Sequence, residues 1–102
     1  MILGQDVLSN PDLRFKLKNA SFLKWKSNED DEAQFQGRVL DVFDEGLKVN
    51  YYEWVSGGED ETAMISDMEL DRYIFFDSTM ELRANAHKSM PKVISKMMGE
   101  TA

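Results

Sequence analysis

The side chains that stand out in this sequence are aromatic and acidic. Tyr52 and Trp54 flank Glu53, and alternate residues of an extended strand point to the same side of it. An exposed aromatic pair is typical of a protein-contact surface, and beside a carboxylate such a pair also attracts cations through the faces of its rings. We therefore take Tyr52, Glu53 and Trp54, together with Trp25, as candidate binding residues.

The alternative location for these rings is the protein interior. On the predicted strand, Tyr52 and Trp54 lie on the face opposite Leu47, Val49 and Tyr51. They are exposed if that opposite face is the core. They are covered if the C-terminal helix packs across them, because an amphipathic helix needs an apolar surface beneath its apolar side. Both arrangements are compatible with the sequence.

Acidic residues concentrate in two loop segments. Residues 28–32 read Asn-Glu-Asp-Asp-Glu, and Glu59-Asp60-Glu61 follows two glycines. Neither segment has the alternating ligand spacing and central glycine of an EF-hand loop, so we predict solvated loops with no metal and no cofactor. Such loops attract a protein partner with a basic surface, and Glu59, Asp60 and Glu61 join the candidate binding residues.

The usual groups of a catalytic site are scarce. There is no cysteine and one histidine, His87, which removes thiolate nucleophiles, disulfides and thiolate zinc sites. His87 falls on a predicted helix without an evident acid–base partner. Gly57-Gly58 is followed by three acids that would repel a bound phosphate. We predict that the protein is not an enzyme.

Charge is segmented along the chain, which has 102 residues and a net charge of −7. Residues 1–26 carry five bases and two acids, residues 27–81 three bases and sixteen acids, and residues 82–102 four bases and one acid. The acidic middle repels nucleic acid and anionic lipid over about 8–10 Å. Direct nucleic-acid binding through the basic segment 14–26 is therefore the weakest of three functional hypotheses.

A β-hairpin is the clearest element that positions these residues. AQFQGRVLDVF (33–43) alternates as one strand, with Phe35, Val39 and Phe43 on one face, and LKVNYYEWV (47–55) alternates as its partner. Between them, Asp44-Glu45-Gly46 suits a three-residue loop. We predict a positive φ angle at Gly46, because glycine adopts the left-handed conformation that such a loop needs.

The remaining elements follow from the same periodicities. Residues 14–26 alternate as a strand with a basic outer face. Capping-box patterns at Ser66 and Ser78 each predict the start of a helical turn or helix. Pro91 lies inside the last helical pattern, where it predicts a kink or two short helices. Short strands are predicted at 62–65 and 72–76, and the apolar stripe of the C-terminal helix comprises Leu82, Ala86, Met90, Val93 and Met97.

This order of elements resembles a small SH3-like barrel, most of all the Tudor type. The resemblance is carried by Phe35–Val42, Gly46–Tyr52 and Ile65–Leu70, and covers about residues 20–76. The chain departs from the Tudor pattern at Glu53-Trp54-Val55, where those domains have Asp-Tyr-Gly. The resemblance implies a mainly β (β+α) fold. We expect a single domain over 1–102, with a five-stranded barrel at about 14–76 and an amphipathic, Pro-kinked helical segment at about 78–98.

Two functional hypotheses remain in front. The first is a non-enzymatic protein-binding or adaptor module that uses exposed aromatics and acidic loops. The second is an acidic inhibitor of the phage or mobile-element type, whose carboxylates in 27–81 imitate the phosphates of nucleic acid. No apolar run is long enough for a transmembrane helix, and the N-terminal residues lack a basic signal-peptide region, so we expect a cytoplasmic location. The oligomeric state is left open.

Overall fold

The computed structural model describes residues 1–25, 35–52, 62–97 and 99. In this part of the chain there are six strands, three α-helices and two 3₁₀-helices. The strands are β1 (Ile2–Leu3), β2 (Ser21–Lys24), β3 (Phe35–Phe43), β4 (Gly46–Tyr51), β5 (Thr62–Ser66) and β6 (Tyr73–Phe76). The helices are α1 (Gly4–Ser9), α2 (Thr79–Asn85) and α3 (Met90–Met97), with the 3₁₀-helices η1 (Pro11–Lys16) and η2 (Asp67–Arg72).

The strands form one antiparallel sheet in the order β1–β6–β2–β3–β4–β5. Strands β1 and β5 lie at its two edges and do not pair with each other among the described residues, so the sheet is open. The predicted five-stranded SH3-like barrel is therefore wrong. A mainly β domain with added helices is confirmed.

Strands β2 and β6 lie side by side within the sheet and are buried on both faces. Phe22 pairs with Phe75, and Leu23 pairs with Ile74. Successive residues of a strand point to opposite faces, and the two pairs accordingly enter different cores. A sheet covered on both sides needs such continuously apolar central strands.

Each core has its own helical cover. The first core lies beneath α1, η1 and η2. Helix α1 contributes Val7, η2 contributes Leu70, and Leu17 follows directly after η1. The second core lies beneath α2 and α3, which contribute Leu82, Met90 and Val93. The sheet supplies Phe22, Val39, Leu47, Val49, Ile65, Tyr73 and Phe75 to the first core, and Leu3, Leu23, Ile74 and Phe76 to the second.

The predicted strand over 14–26 is wrong in its first half. Residues Pro11–Lys16 form η1, and the strand is limited to Ser21–Lys24. Asn10 caps η1 through its side chain, which accepts a hydrogen bond from the Asp12 amide at 3.2 Å. An Asn followed by Pro is a helix-start signal, because Pro fits the first helical position, where its missing N–H is not needed.

The β3–β4 hairpin is confirmed, but the role predicted for Gly46 is wrong. Gly46 pairs with Phe43 as the first residue of β4, so Asp44 and Glu45 form the turn. Its φ is not positive. A Cβ atom at Gly46 would collide with the carbonyl oxygen of Ile65 in β5. The position needs glycine because a neighbouring backbone approaches it closely.

The C-terminal segment forms the two short helices that Pro91 predicted. Pro91 lies in the first turn of α3, where a proline removes no helical hydrogen bond. Ser78 caps α2 by accepting a hydrogen bond from the Glu81 amide. Of the predicted stripe, Leu82, Met90 and Val93 are buried and Ala86 is half-buried, while the side chain of Met97 lies outside the described residues. No helix in the described ranges is long and apolar enough to cross a membrane.

Candidate protein-binding surface

Trp25 is completely enclosed by the second core. Its indole Nε1 donates a hydrogen bond of 2.9 Å to the carbonyl oxygen of Lys88, in the segment between α2 and α3. A buried indole N–H needs such a partner. Trp25 therefore fastens the C-terminal helices to the sheet and offers no surface to a partner, which corrects its assignment as a binding residue.

The sequence left open whether Tyr52 is exposed or covered by the C-terminal helix, and the structure favours the covered arrangement. Its ring is half-buried and packs against the second core. Its hydroxyl lies 2.6 Å from Ser21 Oγ and 3.2 Å from Thr79 Oγ1, at the start of α2. The other candidates, Glu53, Trp54, Glu59, Asp60 and Glu61, lie outside the described residues and remain predictions.

A partly buried ion pair joins three segments at another part of the molecule. Arg14 of η1 donates to both carboxylate oxygens of Asp67, at 2.7 and 2.6 Å, and to the carbonyl oxygen of Phe43 at 3.1 Å. Two parallel hydrogen bonds between a guanidinium and a carboxylate fix both distance and orientation. The hydrogen bonding to Asp67 raises the pKa of Arg14 and outweighs the lowering by burial, and the negative charges of Asp67 and Asp44 raise it further.

Local sequence holds each side of this junction in place. Ser66 caps η2 through its side chain, and the amide of Asp67 donates to the carbonyl oxygen of Glu45 at 3.1 Å. Helix α1 packs against η2 so closely that a Cβ atom at Gly4 would collide with the carbonyl oxygen of Leu70. The hairpin turn, η1 and η2 are therefore held together by backbone as well as side-chain contacts.

Each of the three joined segments exposes one large apolar side chain. Phe15 follows Arg14 and is 74% exposed, Phe43 supplies the bonded carbonyl and is 45% exposed, and Met68 follows Asp67 and is 91% exposed. Single exposed apolar residues are common, whereas several on adjoining segments are typical of interaction surfaces. Phe15 is the most exposed aromatic side chain among the described residues.

Exposed carboxylates lie on the same segments as these apolar side chains. Asp44 and Glu45 are exposed in the hairpin turn, and Glu69 is exposed on η2. Arg14 and Asp67 neutralise each other inside the junction. We call this region the junction surface, and define it by the exposed residues Phe15, Phe43, Asp44, Glu45, Met68 and Glu69.

The sequence pattern did not identify the junction surface. Phe15 and Phe43 alternate with polar residues, which placed both on the core face of strands, and Met68 lies inside a capping box. The signal that was available is Asn10-Pro11, since a helix beginning there removes Phe15 from any strand. Arg14 and Asp67 are 53 positions apart, and no local pattern connects them.

The basic segment 14–26 is not a free basic strand. Arg14 is committed to Asp67 inside the junction. The ammonium group of Lys24 lies over two aromatic rings, 5.2 Å from the centre of Phe35 and 5.8 Å from that of Tyr73. Two of the five bases counted there thus have partners within the protein, which further weakens the hypothesis of nucleic-acid binding through this segment.

The described ranges contain no group of three or more histidine and acidic side chains arranged to hold a metal ion. No protein-family model, curated protein or solved structure matches the chain. Inference about function therefore depends on the geometry of the junction surface.

Proposed function

We propose that the protein is a non-enzymatic protein-binding or adaptor domain and that the junction surface is its contact site. The observation that supports this is the exposure of Phe15, Phe43 and Met68 on the three segments that the Arg14–Asp67 ion pair joins. Aromatic residues dominate the binding energy of protein interfaces, and methionine adapts its shape to different partners. Phe15 and Met68 contribute little to the fold at such exposure.

The support beneath the surface suits a binding site. Association costs free energy for every segment that it has to order. Here the bidentate Arg14–Asp67 pair and the Asp67–Glu45 backbone hydrogen bond already fix η1, η2 and the hairpin turn relative to one another. A partner therefore meets a preorganised surface, and more of the contact energy is expressed as affinity.

The composition of the surface favours this function over the imitation of nucleic acid. A mimic needs carboxylates spaced like phosphates, and its binding depends mainly on charge. The junction surface instead places two phenylalanines and a methionine among its carboxylates. Burial of apolar area contributes about 25 cal/mol per Å² and is not screened by salt.

The test is comparative affinity capture from the source cell with quantitative mass spectrometry. The test variant carries Phe15→Ser and Met68→Ser. The matched control carries Met64→Ser and Met80→Ser, which remove two methionines that are 62% and 81% exposed outside the junction surface. We expect at least one protein to be retained by wild type and control and reduced about tenfold or more by the test variant, as loss of two interface anchors would cause.

Two results would contradict the proposal. One is an unchanged set of captured proteins with the test variant, and the other is equal loss with test and control variants. Thermal unfolding of both variants checks that they stay folded, which we expect because exposed substitutions change stability by about 0.5 kcal/mol or less.

A further inference from the structure

We infer that the partner segment seated on the junction surface is basic and carries apolar anchors, as an amphipathic lysine- or arginine-rich peptide does. This inference rests on the proposed function and identifies the chemistry of the partner. It follows from the charges of the three joined segments and from the ion pair that Arg14 forms with Asp67.

The three segments are acidic as a group. Residues 11–16, 43–46 and 67–72 contain six acids and three bases. Arg14 is buried and bound to Asp67, so it does not contribute a free positive charge to the surface. The three segments then expose five acids against one exposed base, Lys16, and one half-buried base, Arg72. The five are Asp12, Asp44, Glu45, Glu69 and Asp71.

Apolar and acidic groups together select the partner class. Phe15, Phe43 and Met68 need apolar atoms opposite them, and the exposed carboxylates on the same segments need cations. Nucleic acid supplies phosphates, which these carboxylates repel. A basic amphipathic segment supplies both requirements, with its apolar side on the rings and its lysines or arginines on Asp44, Glu45 and Glu69.

A second copy of this chain is the competing occupant, because the C-terminal segment carries Arg83, Lys88, Lys92 and Lys96. Two copies each carry a net charge of −7, and they repel each other before any contact forms. A separate basic partner is attracted over the same distance. Charge complementarity therefore favours the separate partner.

The experiment uses a synthetic 18-residue peptide of leucine and lysine at helical spacing, with a leucine–glutamate peptide of the same pattern as its control. Binding to the ¹⁵N-labelled full chain is followed by amide chemical shifts and by calorimetry. We expect the lysine peptide to shift the amides of Phe15, residues 43–45 and residues 68–69, and the glutamate peptide to cause no shifts.

Matched variants separate local recognition from general attraction to an acidic protein. Asp44→Asn with Glu45→Gln removes two charges at the junction surface. The control pair, Asp77→Asn with Glu81→Gln, also removes two charges. These residues follow β6, whereas η2 precedes it, so they lie at the other end of that strand. We expect the first pair to weaken peptide binding about tenfold and the second less than about twofold. Equal weakening, or shifts outside the junction surface, would overturn the inference.

Sedimentation of the wild-type protein tests whether a second copy of the chain occupies the junction surface. A wild-type dimer at low salt that Lys92→Glu with Lys96→Glu abolishes would assign the surface to a second copy and overturn the inference. The capture experiment distinguishes failure of this inference from failure of the proposed function. If capture depends on Phe15 and Met68 while the lysine peptide does not bind at the junction surface, the inference fails and the proposed function stands. If capture is independent of both residues, the proposed function itself fails.

Discussion

The C-terminal helices and the junction surface treat aromatic side chains in opposite ways. Trp25 and Tyr52 lie on or beside strands that α2 and α3 cover, and their polar atoms bond to Lys88, Ser21 and Thr79. Phe15 lies on a 3₁₀-helix and is 74% exposed, and Phe43 lies at a strand end and is 45% exposed. The difference shows that an aromatic side chain beside a sheet strand, such as Trp25 or Tyr52, is available to a helix that packs across the sheet, and its residue type alone does not indicate a binding surface.

The largest expected effect separates the two regions by stability. Trp25→Ala empties a fully buried site, which costs about 3–5 kcal/mol of unfolding free energy. Phe15→Ala removes an exposed ring and is expected to change stability by about 0.5 kcal/mol or less. Urea unfolding followed by far-UV circular dichroism measures both. Comparable losses of unfolding free energy in the two variants would refute the contrast between the covered and the exposed aromatic side chains.

The next effect concerns the ion pair that supports the junction surface. Arg14→Met leaves the Asp67 carboxylate without its guanidinium. Asp67 is 28% exposed, so water compensates in part and we expect a loss of about 2–3 kcal/mol, below the usual range for a fully buried pair.

A double-mutant cycle with Asp67→Asn tests whether this loss belongs to the pair. The combined variant is expected to lose less than the sum of the two single losses, by about 1 kcal/mol or more, since residues in contact are coupled. Strict additivity would show that Arg14 stabilises the fold through other contacts. Amide shifts caused by Arg14→Met should appear at Phe43 and Met68 and be absent around Trp25.

The smallest effect tests how Tyr52 is used. Tyr52→Phe keeps the ring and removes the hydroxyl that lies near Ser21 and Thr79, and we expect a loss of about 1 kcal/mol. Combination with Ser21→Ala should add little, because both changes remove the same hydrogen bond. Capture of the partner should be unchanged by Tyr52→Phe. A selective loss of capture would return Tyr52 to the binding surface.

Features with a local signal were predictable from the sequence. Alternation over 33–43 and 47–55 predicted the hairpin, and the stripe from Leu82 to Met97 with Pro91 predicted a kink or two short helices, of which the structure has the second. The start of η1 at Asn10-Pro11 was also visible, but alternation over 14–17 imitated a strand. The glycine at position 46 indicated a conformational constraint there. The predicted cause, a positive φ angle, was wrong, because the atom that a Cβ would collide with belongs to β5.

Features that depend on distant residues were not predictable in this way. The open sheet results from β6 pairing with both β1 and β2, and neither partner adjoins it in sequence. The junction surface depends on the contact between Arg14 and Asp67. Periodicity reports which face of an element is apolar, but it does not report which distant element covers that face.

The position of β6 between β1 and β2 also has a consequence for the order of folding. The β3–β4 hairpin has partners close in sequence and can form early, whereas the pairs that β6 makes with β1 and β2 join residues 49 or more positions apart. During synthesis, Phe22 and Leu23 therefore lack one of their neighbouring strands until residues 73–76 have left the ribosome. We expect the nascent chain to be prone to aggregation until that point, and the final cooperative folding step to await the last strand.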